Sequence, residues 1–175
     1  MTPNGSVPVP SCGQRSAAEV DFRKVMGSVC TPVSVVTTLE EGRPHGTTVS
    51  AFASLSLEPP MVLVALDLES DLLRIIRRTR RFGLNVLSAG QSDLAMTFAR
   101  KGADKFAGVS WGAEAGLPRL IGVAGWLACE VEQLVPGGDH VVAMAVVFAA
   151  SHDECSPLTY HRRGFGTHAA LVAEA

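Results

Sequence analysis

Two periodicities take turns along this chain. From 17 to 29, "AAEVDFRKVMGSV" returns Val20, Phe22, Val25, Met26 and Val29 at helical spacing, which predicts a short amphipathic helix. The period then changes towards two. "TPVSVVTTLEEGRPHGTTVSAFASLSL" reads as two strands around a turn marked by Gly42, Pro44 and Gly46. Pro59 and Pro60 end the second strand, because proline has no N–H for a ladder. "MVLVAL" (61–66) is a continuous apolar run, the pattern of a strand buried on both faces. "SDLLRIIRRTRR" is helical again, with Ser70 as N-cap, and "FGLNVLS" is a strand with Asn85 in its middle. A second capped helix starts at Ser92, and 102–118, around Trp111, reads as loop. "GVAGWLACEVEQLV" predicts a long strand, "GGD" (137–139) a tight turn, "HVVAMAVVFAAS" an antiparallel return and "SPLTYHRRGFG" a last extended piece.

Six or seven strands with about three helices, not regularly alternating, predict a mainly β fold: an antiparallel barrel with peripheral helices. A Rossmann sheet is disfavoured, and neither GxGxxG nor GxxxxGK[ST] occurs. Composition agrees. Apolar residues make up 47% and charged residues 18%, so the chain folds but has little polar cover, which favours a subunit interface. A net charge of −2 gives no broad basic field, so no nucleic acid partner is expected. No apolar run approaches the roughly 20 residues of a membrane span, so no membrane partner is expected either. "MTPNGSVPVPSCGQRS" lacks the apolar core of a secretory signal, and the expected location is the cytoplasm. Residues 1–16 read as a flexible tail and 17–175 as a single domain. Cys12, Cys30, Cys129 and Cys155 have no metal-ligand spacing and read as reduced thiols.

Several stretches carry candidate chemistry. Within 46–60, alternation puts Val49, Ala51, Ala53, Leu55 and Leu57 on one face and Thr48, Ser50, Ser54 and Ser56 on the other, interrupted by Phe52. Such a hydroxyl row either faces solvent or lines a polar ligand without burying charge. His140 follows a Gly-Gly-Asp turn where a strand begins; it is either a surface histidine or a group that donates to a ligand near neutral pH. Arg74, Arg77, Arg78 and Arg81 share a helical face, which is either solvated, paired with acidic residues of a partner subunit, or phosphate-binding. Arg100, Lys101 and Lys105 after the second capped helix pose the same choice. No nucleophile-and-base constellation stands out, so if the protein is an enzyme a bound cofactor supplies the chemistry.

Taken in order, "FRKVMGSVCTPVSVVTT", "PHGTTVSAFASLSLEPPMVLV", "FGLNVLSAGQSDLAMTFA", "DKFAGVSW", "GDHVV" and "SPLTYHRRGFG" resemble the flavin reductase domain, the reductase component of two-component flavin-dependent monooxygenases, over about 20–168. The resemblance implies a split β-barrel of flavin-binding type and an NAD(P)H:flavin oxidoreductase, with FAD or FMN as flavin and NADH or NADPH as hydride donor. It also implies a homodimer and a separate oxygenase that receives reduced flavin. It sets Thr48, Val49, Ser50 and Ala51 beside the flavin, although relatives often carry a second serine where this chain has Ala51. It adds Ala65, Leu66 and Asp67, then Ser70 on the phosphate side, then Phe98 and Ala99. His140 corresponds to the histidine near the nicotinamide, and Tyr160 and Arg162 to the nicotinamide-nucleotide segment. The alternative it leaves is a flavin carrier or store of the same barrel type without reductase activity.

Overall fold

The computed structural model describes residues 16–102 and 104–171. The expected tail lies outside them except for Ser16. That residue caps helix α1 (Ala17–Gly27): its hydroxyl accepts from Glu19 N–H while the Glu19 carboxylate accepts from Ser16 N–H. Twelve strands and two further helices follow among the described residues. They run β1 (Thr31–Pro32), β2 (Ser34–Glu40), β3 (Arg43–Val49), β4 (Phe52–Leu57), β5 (Pro60–Asp67), α2 (Asp71–Thr79) and β6 (Arg81–Val86). Then come α3 (Ser92–Ala99), β7 (Trp111–Glu114), β8 (Leu117–Leu120), β9 (Gly125–Gly137), β10 (His140–His152), β11 (Leu158–His161) and β12 (Gly164–Thr167).

The main sheet has seven strands in the order β3-β2-β6-β9-β10-β5-β4, and every neighbouring pair is antiparallel. Its two edge strands, β3 and β4, are consecutive in the chain, separated only by Ser50 and Ala51. Ala65 N–H donates to Ala51 O at 2.9 Å and ties this corner to β5.

Strand β2 shows why the sheet is buried on both faces. Val36 enters one core cluster, with Leu72, Leu73 and Ile76 of α2, while Val33 and Val35 enter a second one around Trp126, Phe98 and Leu158. Successive side chains of a strand point to opposite faces, so one apolar run feeds two cores. The buried polar residues Asn85 and Thr37 are satisfied. Asn85 donates to Val35 O and Thr37 Oγ1, both at 3.1 Å, and accepts from Leu120 N–H at 2.8 Å. Thr37 donates to Pro118 O at 2.7 Å.

Several expectations are corrected. The stretch 46–57 is not one strand: it breaks at Ser50–Ala51, and beyond the break Ala53, Leu55 and Leu57 are exposed rather than packed in the core. Pro60 opens β5 instead of closing the preceding strand. In β5, only alternate residues, Val62, Val64 and Leu66, are buried, while Met61, Leu63 and Ala65 stay half-buried. The expected loop after residue 102 contains the β7–β8 hairpin, turned by Ala115 and Gly116 at φ 48° and 77°. The last piece is also a hairpin, turned by Arg162 and Arg163 at φ 46° and 65°. Finally, Val20, Phe22, Val25, Met26 and Val29 around α1 are all exposed, so the periodicity marks the helix but nothing among the described residues covers its apolar face.

Candidate functional site

A cleft of about 1010 Å³ opens between β3, the ends of β5 and β10, the start of α2 and the loop after α3. Strand β3 forms one wall and is pinned from both sides. Ser34 Oγ donates to Val49 O at 2.8 Å, and Thr48 Oγ1 donates to Ala95 O at 2.6 Å, which holds α3 against the strand. Gly46 rests on the buried ring of Phe98, where any side chain would collide. Ser50 and Ala51 continue this wall across the corner. Of the hydroxyl row, only Thr48 and Ser50 reach the cleft; Ser54 and Ser56 sit on β4, past the break.

Opposite β3, strand β5 brings Ala65, Leu66 and Asp67 to the cleft. Asp67 Oδ1 accepts Glu69 N–H at 2.8 Å and shapes the corner into α2. Ser70 holds the N-cap position, but its side chain makes no capping bond, so the hydroxyl and the first N–H groups of α2 remain available to a ligand.

His140 stands at the other end. It is the first residue of β10 and lies opposite Asp67 in the ladder, after a turn in which Gly138 takes φ 69°. Its Nδ1 is 2.7 Å from Asp139 Oδ1, and this contact holds the Asp139 carboxyl below the usual carboxylate range. A proton on Nδ1 shared with Asp139 leaves Nε2 as the ring's second polar atom. Sequence reasoning had not singled out Asp139; the signal was its place directly before the histidine.

The loop after α3 is clamped by Lys105, whose ammonium donates to Gly46 O at 3.2 Å and Phe98 O at 3.0 Å. Burial pushes its pKa down. Arg43 and His45, also not singled out, line the cleft from β3, and Arg100 and Lys101 line it from the loop after α3.

Nine of the ten residues expected at the flavin line this one cleft, together with His140. The exception, Phe98, lies buried behind the wall, edge-on to Phe106 at a centroid distance of 4.9 Å. Tyr160 and Arg162 do not line it. Both belong to the β11–β12 hairpin, where Tyr160 packs on Phe165 and Arg162 N–H donates to Gly27 O at 3.0 Å. The arginine face is largely spent within the chain. Arg74 pairs with Asp71 at 2.7 Å, Arg78 with Glu40, and Arg81 with Glu130 at 3.0 Å.

A mainly β fold with few helices, a corner where two edge strands meet, and a cleft that joins small hydroxyls to a helix start define a class of β proteins suited to a flat anionic ligand. Comparison with known proteins makes this specific. Residues 26–169 match the flavin reductase like domain, and the chain belongs to that family. It is 40% identical over 148 residues to the reductase component of 4-nitrophenol 4-monooxygenase/4-nitrocatechol 2-monooxygenase from Rhodococcus opacus, covering 85% of this chain and 80% of that one. It is 37% identical over 153 residues to the flavin-dependent monooxygenase reductase subunit HsaB of Mycobacterium tuberculosis, covering 83% and 82%. Among solved structures, nitrilotriacetate monooxygenase component B from Mycobacterium thermoresistibile superposes with a TM-score of 0.84 at 32% identity, covering 90% and 92%. The Streptomyces globisporus NADH:FAD oxidoreductase SgcE6, in complex with NAD and FAD fragments, gives 0.82 at 30% identity, covering 89% and 95%.

Proposed function

We propose that this protein is an NAD(P)H:flavin oxidoreductase that passes a hydride from reduced nicotinamide to FMN or FAD and supplies free reduced flavin to a separate oxygenase. One observation carries the reading: segments at 48–51, 65–67, 70 and 99, far apart in sequence, converge on one cleft with His140 at its end. The residues present suit a flavin. Val49 and Leu66 give the cleft an apolar base, Ser50 and Ser70 bring hydroxyls, and the start of α2 with Lys105 provides for a phosphate. When bound, flavin supplies the two-electron acceptor chemistry. The chain's own contribution is to orient both rings and keep water out, so the gain comes mainly from proximity. His140, fixed by Asp139, is the group that positions the nicotinamide and holds a proton at its ring nitrogen.

The finer parts of the reading have their own support. The junction of β3 and β4 through Ser50–Ala51 suits a split β-barrel. The uncovered apolar face of α1 suits a homodimer, and a second copy is also the route by which Tyr160 and Arg162, outside their own chain's cleft, would reach a nicotinamide nucleotide. Residues 17–175 act in this reading as one domain, in the cytoplasm.

The test is NADH and NADPH oxidation with catalytic FMN or FAD, in the native protein and in His140→Ala. The native protein is expected to oxidise reduced nicotinamide with at least one flavin. His140→Ala is expected to lose at least tenfold in turnover while flavin Kd changes less than threefold, the effect of mis-set orientation at about 1.4 kcal/mol per tenfold. Absence of oxidation with either flavin sinks the function, and unchanged turnover in the variant removes His140 from it.

A further inference from the structure

Two sets of the described cations contrast, apart from Arg23, Arg77, Arg80, Arg162 and Arg163, which neither pair with a carboxylate nor line the cleft. Arg74, Arg78, Arg81 and Arg119 each pair with a carboxylate of the chain, and none of the four lines the cleft. Arg43, Arg100, Lys101 and Lys105 do line it, and among the described residues none of them has a carboxylate in contact. Single unpaired cations are ordinary on an open surface. Four that share a cleft reinforce one another, because low-dielectric walls focus their field. Lys105 has spent two of its three N–H donors on carbonyl groups, which leaves one for an anion.

These cations sit at two levels. Val49, next to the Ser50–Ala51 corner, marks the end of β3 that leads to β5 and His140. Gly46, whose carbonyl receives Lys105, lies three residues back along extended chain, about 10 Å. Arg43 lies three residues further, again about 10 Å. Helix α3 descends in the same direction: Ala95 meets Thr48, and Phe98 lies behind Gly46. Arg100 and Lys101, beyond its last residue, therefore continue towards Arg43.

We infer that the cleft is built for a flavin dinucleotide, and that Arg43, Arg100 and Lys101 make it favour FAD over FMN by holding the adenylate half. This rests on the flavin reading above. A mononucleotide with its ring beside Val49 and its phosphate at Lys105 leaves the second level without an anion. A pyrophosphate that continues into adenosine gives that level an anion and covers the rest of β3, with His45 between the two levels. None of the cleft's carboxylates is in ion-pair contact with Arg43, Arg100 or Lys101: Asp71 is paired with Arg74, and Asp67 and Asp104 each accept a backbone N–H, of Glu69 and Phe106.

The experiment is calorimetric titration of the full chain, without nicotinamide, with riboflavin, FMN and FAD. It compares the native protein with Arg43→Ala/Lys101→Ala, both exposed positions. Native protein is expected to bind FAD at least tenfold more tightly than FMN. The double variant is expected to lose about tenfold for FAD, the sum of two partly screened charge contacts, while FMN Kd stays within twofold. Lys101→Glu alone moves FAD in the same direction. Equal native affinity for FMN and FAD overturns the inference, as does an equal loss for both in the variant. In a parallel turnover assay of the same variants, a rise in KM for NADH with both flavin Kd values unchanged assigns these cations to the nicotinamide dinucleotide instead and also overturns it. If none of the three flavins binds, the underlying flavin reading fails, a result distinct from the others.

Discussion

Adding one methyl group at Gly46 tests how tightly the cleft wall is built. A β-carbon there would lie 2.8 Å from Phe98 Cε1, 3.0 Å from Phe98 Cδ1 and 3.3 Å from Val36 O. Carbon atoms pack best at about 3.5–4.0 Å, so the ring would have to retreat by roughly 0.7 Å. It has little room. Phe98 is fully buried, meets Phe106 edge-on at 4.9 Å, and Phe106 in turn meets Trp111 at 5.7 Å. Val36 O belongs to the neighbouring strand, whose register against β3 is fixed. Overpacking of this kind costs about 1–3 kcal/mol. Alanine recovers part of this, because glycine in a strand loses about 0.5–1 kcal/mol of backbone entropy relative to it. Gly46→Ala is therefore expected to lose about 1–2 kcal/mol, a fall in Tm of about 4 °C for a domain of this size.

Urea and thermal unfolding measure that loss, and a parallel flavin titration should show weaker binding, because Gly46 O also holds Lys105. The companion variant Phe98→Leu makes the cause visible. It opens space opposite residue 46, so in the double variant the added methyl group has somewhere to go. The two losses should then fall short of additivity by about 1 kcal/mol. Gly46→Ala at native stability, or strict additivity of the pair, refutes the steric argument.

Two further outcomes follow from buried groups. Asn85→Leu leaves Leu120 N–H buried without its acceptor and removes the amide that donates to Val35 O and Thr37 Oγ1, so chemical unfolding should show a loss of about 2 kcal/mol. Burial pushes the Cys129 thiol up from 9.0 to about 12, so in this window the unfolded chain releases a proton that the folded chain keeps. Stability contributed by the neutral thiol is full below pH 9 and falls as pH rises towards 12, by about 1.4 kcal/mol per pH unit. Unfolding measured from pH 8 to 11 should therefore be less steep in pH for Cys129→Ala, and native-state alkylation should mark the exposed Cys30 and Cys155 but spare Cys129.

Where a residue's local pattern and its tertiary surroundings agree, the sequence was readable. Helix α2 was legible because Leu72, Leu73, Ile75 and Ile76 are both periodic and buried. The β9–β10 pair was legible because a Gly-Gly-Asp turn separates two long apolar runs. Other features were decided at a distance. The break at Ser50–Ala51 was hidden because alternation continues through it, and only the tie from Ala65 N–H to Ala51 O shows where the chain turns. The β7–β8 hairpin was hidden by its short strands and by Pro118, whose carbonyl is the acceptor for buried Thr37. At the candidate site, the lining segments were legible through resemblance. The wall behind them was not: nothing in "TFAR" or "PHGTT" shows that Phe98 and Gly46 must touch.

The hydroxyl row illustrates what sequence alone cannot apportion. Four hydroxyls on one strand suggested a rich set of ligand contacts, yet the fold distributes them. Ser54 and Ser56 leave with β4, and Thr48 spends its proton on Ala95 O, so towards the cleft it can only accept. Thr47, Ser50 and Ser70 are the cleft hydroxyls that make no side-chain hydrogen bond among the described residues, and Ala51 adds none. In the proposed flavin reading, an anion in the cleft would draw mainly on backbone N–H groups at the start of α2 and on cations brought in by β3 and the loop after α3. Such contacts, partly exposed and screened by salt, would hold a charged ligand without trapping it. For a reductase whose reduced flavin has to leave for another protein, that distribution serves release as well as binding.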